Sequence, residues 1–174
     1  MAGSQKKTIK LPKRCLLVMC GPAACGKSTF ARRRFRSTEI VSSDHCRALL
    51  ADDENAQWVS GRAFDLFHFI IRQRMGLGRF TVADSTALER SARRTLIKIA
   101  RGFDMPAWLL AFDVSLKICH QRNASRPRRV NRDVIERHHA KMQTALGSFE
   151  SEGFDGVIVL SGKEMDCASL RRTM

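Results

Sequence analysis

Gly21-Pro22-Ala23-Ala24-Cys25-Gly26-Lys27-Ser28-Thr29 is the segment whose residue types and spacing point most directly to chemistry. Two glycines with four residues between them, followed by Lys and Ser, make the G-x-x-x-x-G-K-[ST] pattern of a loop whose backbone N–H groups wrap around phosphate oxygens. Lys27 would reach the outer phosphates, and the Ser28 hydroxyl would hold a magnesium ion. The apolar run Cys15-Leu16-Leu17-Val18-Met19-Cys20 comes directly before, and a helix from Lys27 to Phe35 is expected directly after. That helix adds the positive end of its dipole to the loop. The pattern predicts binding of ATP or another nucleoside triphosphate with Mg2+. Cys25, inside the loop, has two readings: a thiol activated by the helix N-terminus and Lys27, or a small residue at a tolerant position.

Further polar residues follow the other apolar segments. After Glu39 to Ser42 comes Ser43-Asp44-His45-Cys46-Arg47. Asp44 is either the cap of the next helix, a role Ser43 could also fill, or a carboxylate placed to take the proton of an attacking hydroxyl. Arg47, one turn on, shares its face and can bind an acceptor phosphate. Val82-Ala83-Asp84 closes an apolar strand on an acid, the pattern of a carboxylate that holds a magnesium-bound water or orients the loop's Lys or Ser. Asp113 occupies the equivalent place on the next strand and reads as a helix cap. Lys117, Arg122, Arg126, Arg128, Arg129 and Arg132 form a stretch without an acid from Ser115 to Arg132. Arg122 and Arg126 are four apart, and Pro127 stops the helix, so this stretch reads as an arginine-rich lid. Two arginines aimed at a nucleotide can neutralise the charge that develops on a transferred phosphoryl group. The competing reading is a solvated basic face.

The elements that must position these residues alternate. Strands are expected at 15–20, 39–42, 80–83, 107–112 and 156–160, and helices at 27–35, 45–51, 57–76, 88–101, 115–123, 132–149 and 164–172. Short apolar strands separated by amphipathic helices predict an α/β fold, a mostly parallel sheet of about five strands flanked by helices. Ligands of such a sheet bind beyond the carboxyl ends of its strands. In helix 132–149, Ile135, Met142, Leu146 and Phe149 describe a core stripe, and His138 and His139 read as packing or surface residues. Most aromatics of 57–76 read as core, with one or two free to line an acceptor groove.

The 174 residues bound the chain to one domain with short extensions: a basic flexible lead-in over 1–14 and a domain over 15–174. The net charge is +14; Lys6, Lys7, Lys10, Lys13 and Arg14 supply five of those charges, leaving +9 on the remainder. A polyanionic partner such as RNA or DNA would exploit so basic a surface. No apolar run has membrane-span or signal-peptide length, so the expected location is cytoplasmic, with no membrane partner. The six cysteines show no C-x-x-C pair and no metal-ligand spacing.

Together these segments resemble the polynucleotide 5′-kinase family, specifically the kinase module of bacterial polynucleotide kinase-phosphatase-ligase RNA-repair enzymes. The resemblance runs from about Leu16 to Leu160. It rests on Gly21 to Thr29, Val41-Ser42-Ser43-Asp44-His45-Cys46-Arg47, Asp52-Asp53-Glu54-Asn55, Ala63-Phe64-Asp65 and Thr81-Val82-Ala83-Asp84. It continues through Gln121-Arg122-Asn123, Arg126 and Glu152-Gly153-Phe154. It implies a P-loop kinase fold and transfer of the ATP γ-phosphate to the 5′-OH end of RNA or DNA. In that scheme Asp44 is the general base and Arg47 grips an acceptor phosphate. Lys27, Arg122 and Arg126 cradle the β- and γ-phosphates, and Ser28 sits on magnesium. The chain departs from the family where Ser85-Thr86-Ala87 replaces Ala-Thr-Asn. It also ends where the multi-domain enzymes continue into phosphatase and ligase modules, so a stand-alone kinase and an excised module are both expected possibilities. The alternative acceptor is a small-molecule hydroxyl, of a nucleoside, sugar or antibiotic, since the scaffold alone does not select the acceptor.

Overall fold

Five apolar segments form a single all-parallel sheet in the computed structural model, which describes residues 8–127 and 129–173. The strands are β2 (Leu16–Cys20), β3 (Ile40–Ser42), β4 (Thr81–Asp84), β5 (Ala107–Asp113) and β6 (Gly156–Ser161), in the order β3-β4-β2-β5-β6. Parallel pairing needs a crossover between strands, and the helices supply it on both faces. β2 lies at the centre, paired with β4 and β5. The chain leaves β2 toward one edge and passes from β4 to the other side of β2. Strand order therefore reverses at the carboxyl end of β2, where α/β sheets open a ligand crevice.

All five residues of β2 are buried, and period two divides them between two cores. Leu16, Val18 and Cys20 pack with α3 (Ser60–Gly76), α4 (Arg90–Arg101) and Met142 of α6 (Arg132–Leu146). Leu17 and Met19 pack with α1 (Lys27–Arg34), Cys119 of α5 (Leu116–Ala124) and Met165 of α7 (Gly162–Cys167). The last helix, α2 (Ser43–Ala51), joins β3 to the 3-10 turn that precedes α3.

Two expected features take another form. Within the expected flexible lead-in, Thr8–Pro12 is a strand, β1, with Ile9 and Leu11 buried; residues 1–7 lie outside the described residues. The expected helix 164–172 stops at Cys167, and Ser169–Thr173 continues as β7, parallel to β1 in a second, two-stranded sheet. Arg172 of β7 forms a bidentate pair with Glu39 at 2.8 and 2.7 Å and lies 4.1 Å over the Phe80 ring. No sequence pattern in 8–12 or 169–173 is long enough to announce a strand; each depends on the other's backbone. Smaller shifts concern helix ends. α2 starts at Ser43 with Ser42 as its cap, α4 starts at Arg90, and α6 stops at Leu146. Asp113 caps nothing and instead accepts from Gln143 Nε2 at 2.9 Å.

The largest fully buried side chain is an arginine. Arg93 falls in the buried phase of α4 with Leu96, Ile97 and Ala100. Its guanidinium donates to Glu152 at 2.6 Å twice and to the carbonyls of Ala87 and Leu88 at 2.8 Å each, with Phe149 4.9 Å below. Burial alone would push the Glu152 carboxyl up, but the bonds from Arg93 and Ser148 hold it below the ordinary range. Removing one partner of a buried, hydrogen-bonded pair strands the other charge, at a cost of about 3–5 kcal/mol. Arg93→Ala and Glu152→Ala should each lower the unfolding free energy by about that amount in urea titrations. A loss under about 1 kcal/mol in both would mean the pair is not a structural anchor.

Candidate active site at the carboxyl ends of the strands

The phosphate-loop pattern sits at the reversal point. The Gly21 N–H donates to the Thr86 carbonyl at 3.1 Å, joining the start of the loop to the segment that follows β4. Ala24 at φ 60 and Gly26 at φ 101 turn the backbone into the left-handed region before α1. Glycine takes that conformation without steric cost, whereas Ala24 holds it under strain, as residues at ligand loops often do. Lys27 opens α1 and is buried; its Nζ donates to the carbonyls of Gly21 and Pro22 at 2.8 Å each. Cys25 is also buried, with its Sγ 3.7 Å from the same ammonium.

Ser28, next on α1, hydrogen-bonds the Asp84 side chain at the end of β4. Asp84 is buried. That burial pushes its carboxyl up, against the pull of Lys27 and the Ser28 bond, and Asp44 adds to the rise. The register pairs Asp84 with Ser42 on β3, which sets Asp44 in the first turn of α2 beside it. Lys27, Ser28 and Asp84, expected around the nucleotide and its metal, and Asp44, expected as the base, are thus neighbours. Among the described residues no three His, Cys, Asp or Glu side chains form a metal cluster. The Ser28–Asp84 pair still fits Mg2+, which binds through one or two oxygen side chains and takes its other ligands from phosphates and water.

Arg47 does share Asp44's face, and it pairs with that carboxylate directly. Its Nε also donates to the Glu54 carbonyl at 3.0 Å, which ties α2 to the 52–55 turn. The arginine is buried while nearly half of the Asp44 side chain is open. In this arrangement Arg47 orients Asp44 before it meets any acceptor phosphate.

The two lid arginines separate. Arg122 lies against the phosphate loop, its Nη1 donating to the Cys25 carbonyl and close to the Met165 sulfur at 3.8 Å. A Cβ at Gly26 would come within 2.9 Å of that Nη1, the movable tip of a long side chain, so it is the φ of 101 that calls for glycine there. Arg126 does not stack above Arg122 on a helix, because α5 ends at Ala124. It is half-buried in the turn beyond. Asn123 closes the base of that lid, exchanging two 2.8 Å bonds with the backbone of Val130. Arg128 lies outside the described residues, and Arg132 belongs to α6, bonded to Glu136 at 3.1 Å.

A cavity of about 470 Å³ opens beside the loop, under α3, α4 and α6. Phe64, Phe67 and His68 of α3, Ser85 and Thr86 after β4, and His138 and Lys141 of α6 are among its lining residues. Two of the aromatics expected to divide between core and groove, Phe64 and Phe67, therefore do line a pocket, while Trp58 stands 82% exposed away from it. A second groove, of about 440 Å³, runs over Arg90, Arg94 and Lys98 of α4 and shares Ser91 and Thr95 with the first.

A family model described as AAA domain matches residues 16–148. The chain belongs to the AAA domain family. No curated protein matches it. Among solved structures this AAA domain is similar to a chain of the PezAT toxin–antitoxin system of Streptococcus pneumoniae (14% identity, 92% of this chain and 72% of that one, TM-score 0.64). It is also similar to a gluconokinase from Sinorhizobium meliloti 1021 (14%, 87% and 84%, 0.57) and a shikimate kinase from Bacteroides thetaiotaomicron (9%, 83% and 86%, 0.54). At such identities the likeness is one of fold, a P-loop kinase fold. The comparisons reach that fold and stop short of a polynucleotide kinase.

Two groups around this site escaped the sequence reading. His138, one of two histidines that read as packing or surface residues, lines the cavity. Arg93, which fixes the carbonyls of Ala87 and Leu88 at the cavity floor, hides in a helix crowded with exposed cations. Its signal is phase: it sits three, four and seven residues before Leu96, Ile97 and Ala100.

Cys25 is buried. Burial pushes the thiols of Cys15 and Cys119 up to about 12 and that of Cys20 to about 11. Their thiolate fraction at pH 8 is then about one part in a thousand or less. Only Cys167 is partly exposed. Iodoacetamide at pH 8 should label Cys167 alone in the native protein, read by peptide mass spectrometry; rapid labelling of Cys25 would show that the loop opens on its own.

Proposed function

We propose that this AAA domain is a phosphotransferase that moves the γ-phosphoryl group of ATP, or another nucleoside triphosphate, to a hydroxyl of a small molecule held in the 470 Å³ cavity. The observation that carries the reading is the meeting of Lys27, Ser28, Asp84 and Asp44 at the ends of three adjacent strands, with Arg122 across the loop. The acceptor oxygen attacks the γ-phosphorus in line, the bond to the β–γ bridging oxygen breaks, and the hydroxyl proton passes to Asp44. Arg47 holds Asp44 in place for that transfer. Lys27 and Arg122, joined by Arg126 when the lid closes, take up the charge that spreads over the phosphoryl oxygens. Ser28 and Asp84 would hold Mg2+, which would supply charge neutralisation to the triphosphate. The names of two structural relatives, gluconokinase and shikimate kinase, favour a small acceptor over a nucleic acid.

The test is transfer from labelled ATP to a panel of sugars, nucleosides and short 5′-OH oligonucleotides. Lys27→Met should weaken nucleotide binding. Asp44→Asn should lower kcat about 10²–10⁴-fold with nucleotide affinity unchanged; a fully active Asp44→Asn protein rules out the base.

One observation favours a second acceptor, the 5′-OH end of RNA or DNA: the cationic groove over Arg90, Arg94 and Lys98 continues directly from the cavity. A strand whose terminal sugar sat in the cavity would lay its phosphates there. If so, Arg90→Glu with Arg94→Glu should raise KM for oligonucleotides at least about tenfold and flatten its salt dependence, while KM for small alcohols stays put. Equal activity of the double variant on both acceptor types excludes the groove from the reaction.

A further inference from the structure

The cavity beside the phosphate loop carries charges that cancel. Its only charged lining residues are Glu89 and Lys141, and these pair with each other across the rim. Its two imidazoles are held neutral. Burial lowers His68, with Arg72 adding to the fall and Asp65 opposing it. Burial also lowers His138, reinforced by the positive charges of Lys27, Lys141 and Arg137 and opposed only by Glu89. The remaining lining is apolar (Phe64, Phe67, Leu88, Leu96) or hydroxyl (Ser85, Thr86, Ser91, Thr95). An anionic acceptor entering here would lose water and gain no free cation inside the cavity.

One polar atom in this wall lacks a partner. His138 Nδ1 is closed to solvent and makes no hydrogen bond among the described residues. A buried polar group left unpaired is costly, and such atoms are rare unless a ligand or water completes them.

We propose that the cavity selects an uncharged, polyhydroxylated ring, the chemistry of a free sugar or the sugar of a nucleoside, and that His138 binds one of its hydroxyls through Nδ1. An apolar face of the ring packs on the half-buried Phe64, which Phe67 backs from the core, and Ser85 and Thr86 meet further hydroxyls. The volume, about 470 Å³, lies within the range of small-molecule sites. This assignment rests on the phosphotransferase reading of the same site and adds the acceptor's charge class and a specificity-determining residue to it.

Matched pairs that differ only in charge test it: glucose against gluconate, and ribose against ribose 5-phosphate, each with the donor site filled. Binding is measured by calorimetry with a non-hydrolysable ATP analogue, and turnover by ADP release with ATP. The uncharged member of each pair should bind at least about tenfold tighter, and its addition should shift the NMR resonance of the His138 ring. His138→Ala should raise KM for the uncharged acceptor about tenfold while KM for ATP changes less than about twofold. His138→Asn, whose amide can occupy the place of Nδ1, should recover part of the loss. Preference for the anionic members, an unmoved His138 resonance, or no binding of either sugar at millimolar concentration overturns the assignment. Binding of the sugars with the His138 shift but no turnover supports the cavity assignment and refutes phosphoryl transfer. Turnover confined to the anionic members does the reverse.

Discussion

The buried Arg93–Glu152 pair is the constraint on which the site depends. It spends one charge on holding backbone: two of Arg93's five donors go to the carbonyls of Ala87 and Leu88, just past the end of β4. Cys20 Sγ reaches the same Ala87 carbonyl at 3.3 Å, and the neighbouring Thr86 carbonyl takes the Gly21 N–H. The start of the phosphate loop and the floor of the cavity are thereby fastened to one another. Ala87 is held at φ 44, a backbone state that alanine keeps only when its surroundings leave it no choice. Glu152 lies beyond α6, so the pair also draws the C-terminal third of the chain against α4. A guanidinium suits this post because its fork of donors can serve a carboxylate and two carbonyls at once.

The cations around the loop show how the protein stands before nucleotide arrives. Lys27 is bonded to the carbonyls of Gly21 and Pro22, and Arg122 to that of Cys25. Each charge is satisfied by the loop it would serve, so a triphosphate must exchange these bonds for its own rather than fill bare sites. Charged phosphate oxygens make stronger bonds to Lys and Arg than neutral carbonyls do, which favours the exchange. Asp44 and Arg47 follow the same logic, each holding the other in position at the rim of the sheet.

Much of this architecture was legible in the chain. The loop pattern, the strand before it and the acids at 44 and 84 all stand where period and spacing put them, because a buried parallel strand must be apolar and the first polar residue after it must face the crevice. The five central strands and the first six helices follow for the same reason. Arg126 falls beyond the end of α5 at Ala124, where the Asn123–Val130 clasp, a contact between residues seven apart that no periodicity shows, shapes the turn. β1 and β7 were missed because 161 residues separate partners such as Thr8 and Ser169, and neither segment has a core pattern of its own.

By itself the sequence determined that this protein has a nucleotide loop at the end of a central buried strand, since that chemistry lies in contiguous residues whose local geometry is set by glycine, a strand and a helix N-terminus. Only the tertiary structure decided what faces the loop. The cavity is built from α3, α4, α6 and the turn after β4, whose lining residues run from Phe64 to Lys141 and whose meeting depends on packing. A buried arginine and an unpartnered histidine acquire their roles from that meeting alone, because in the chain each is one basic residue among many.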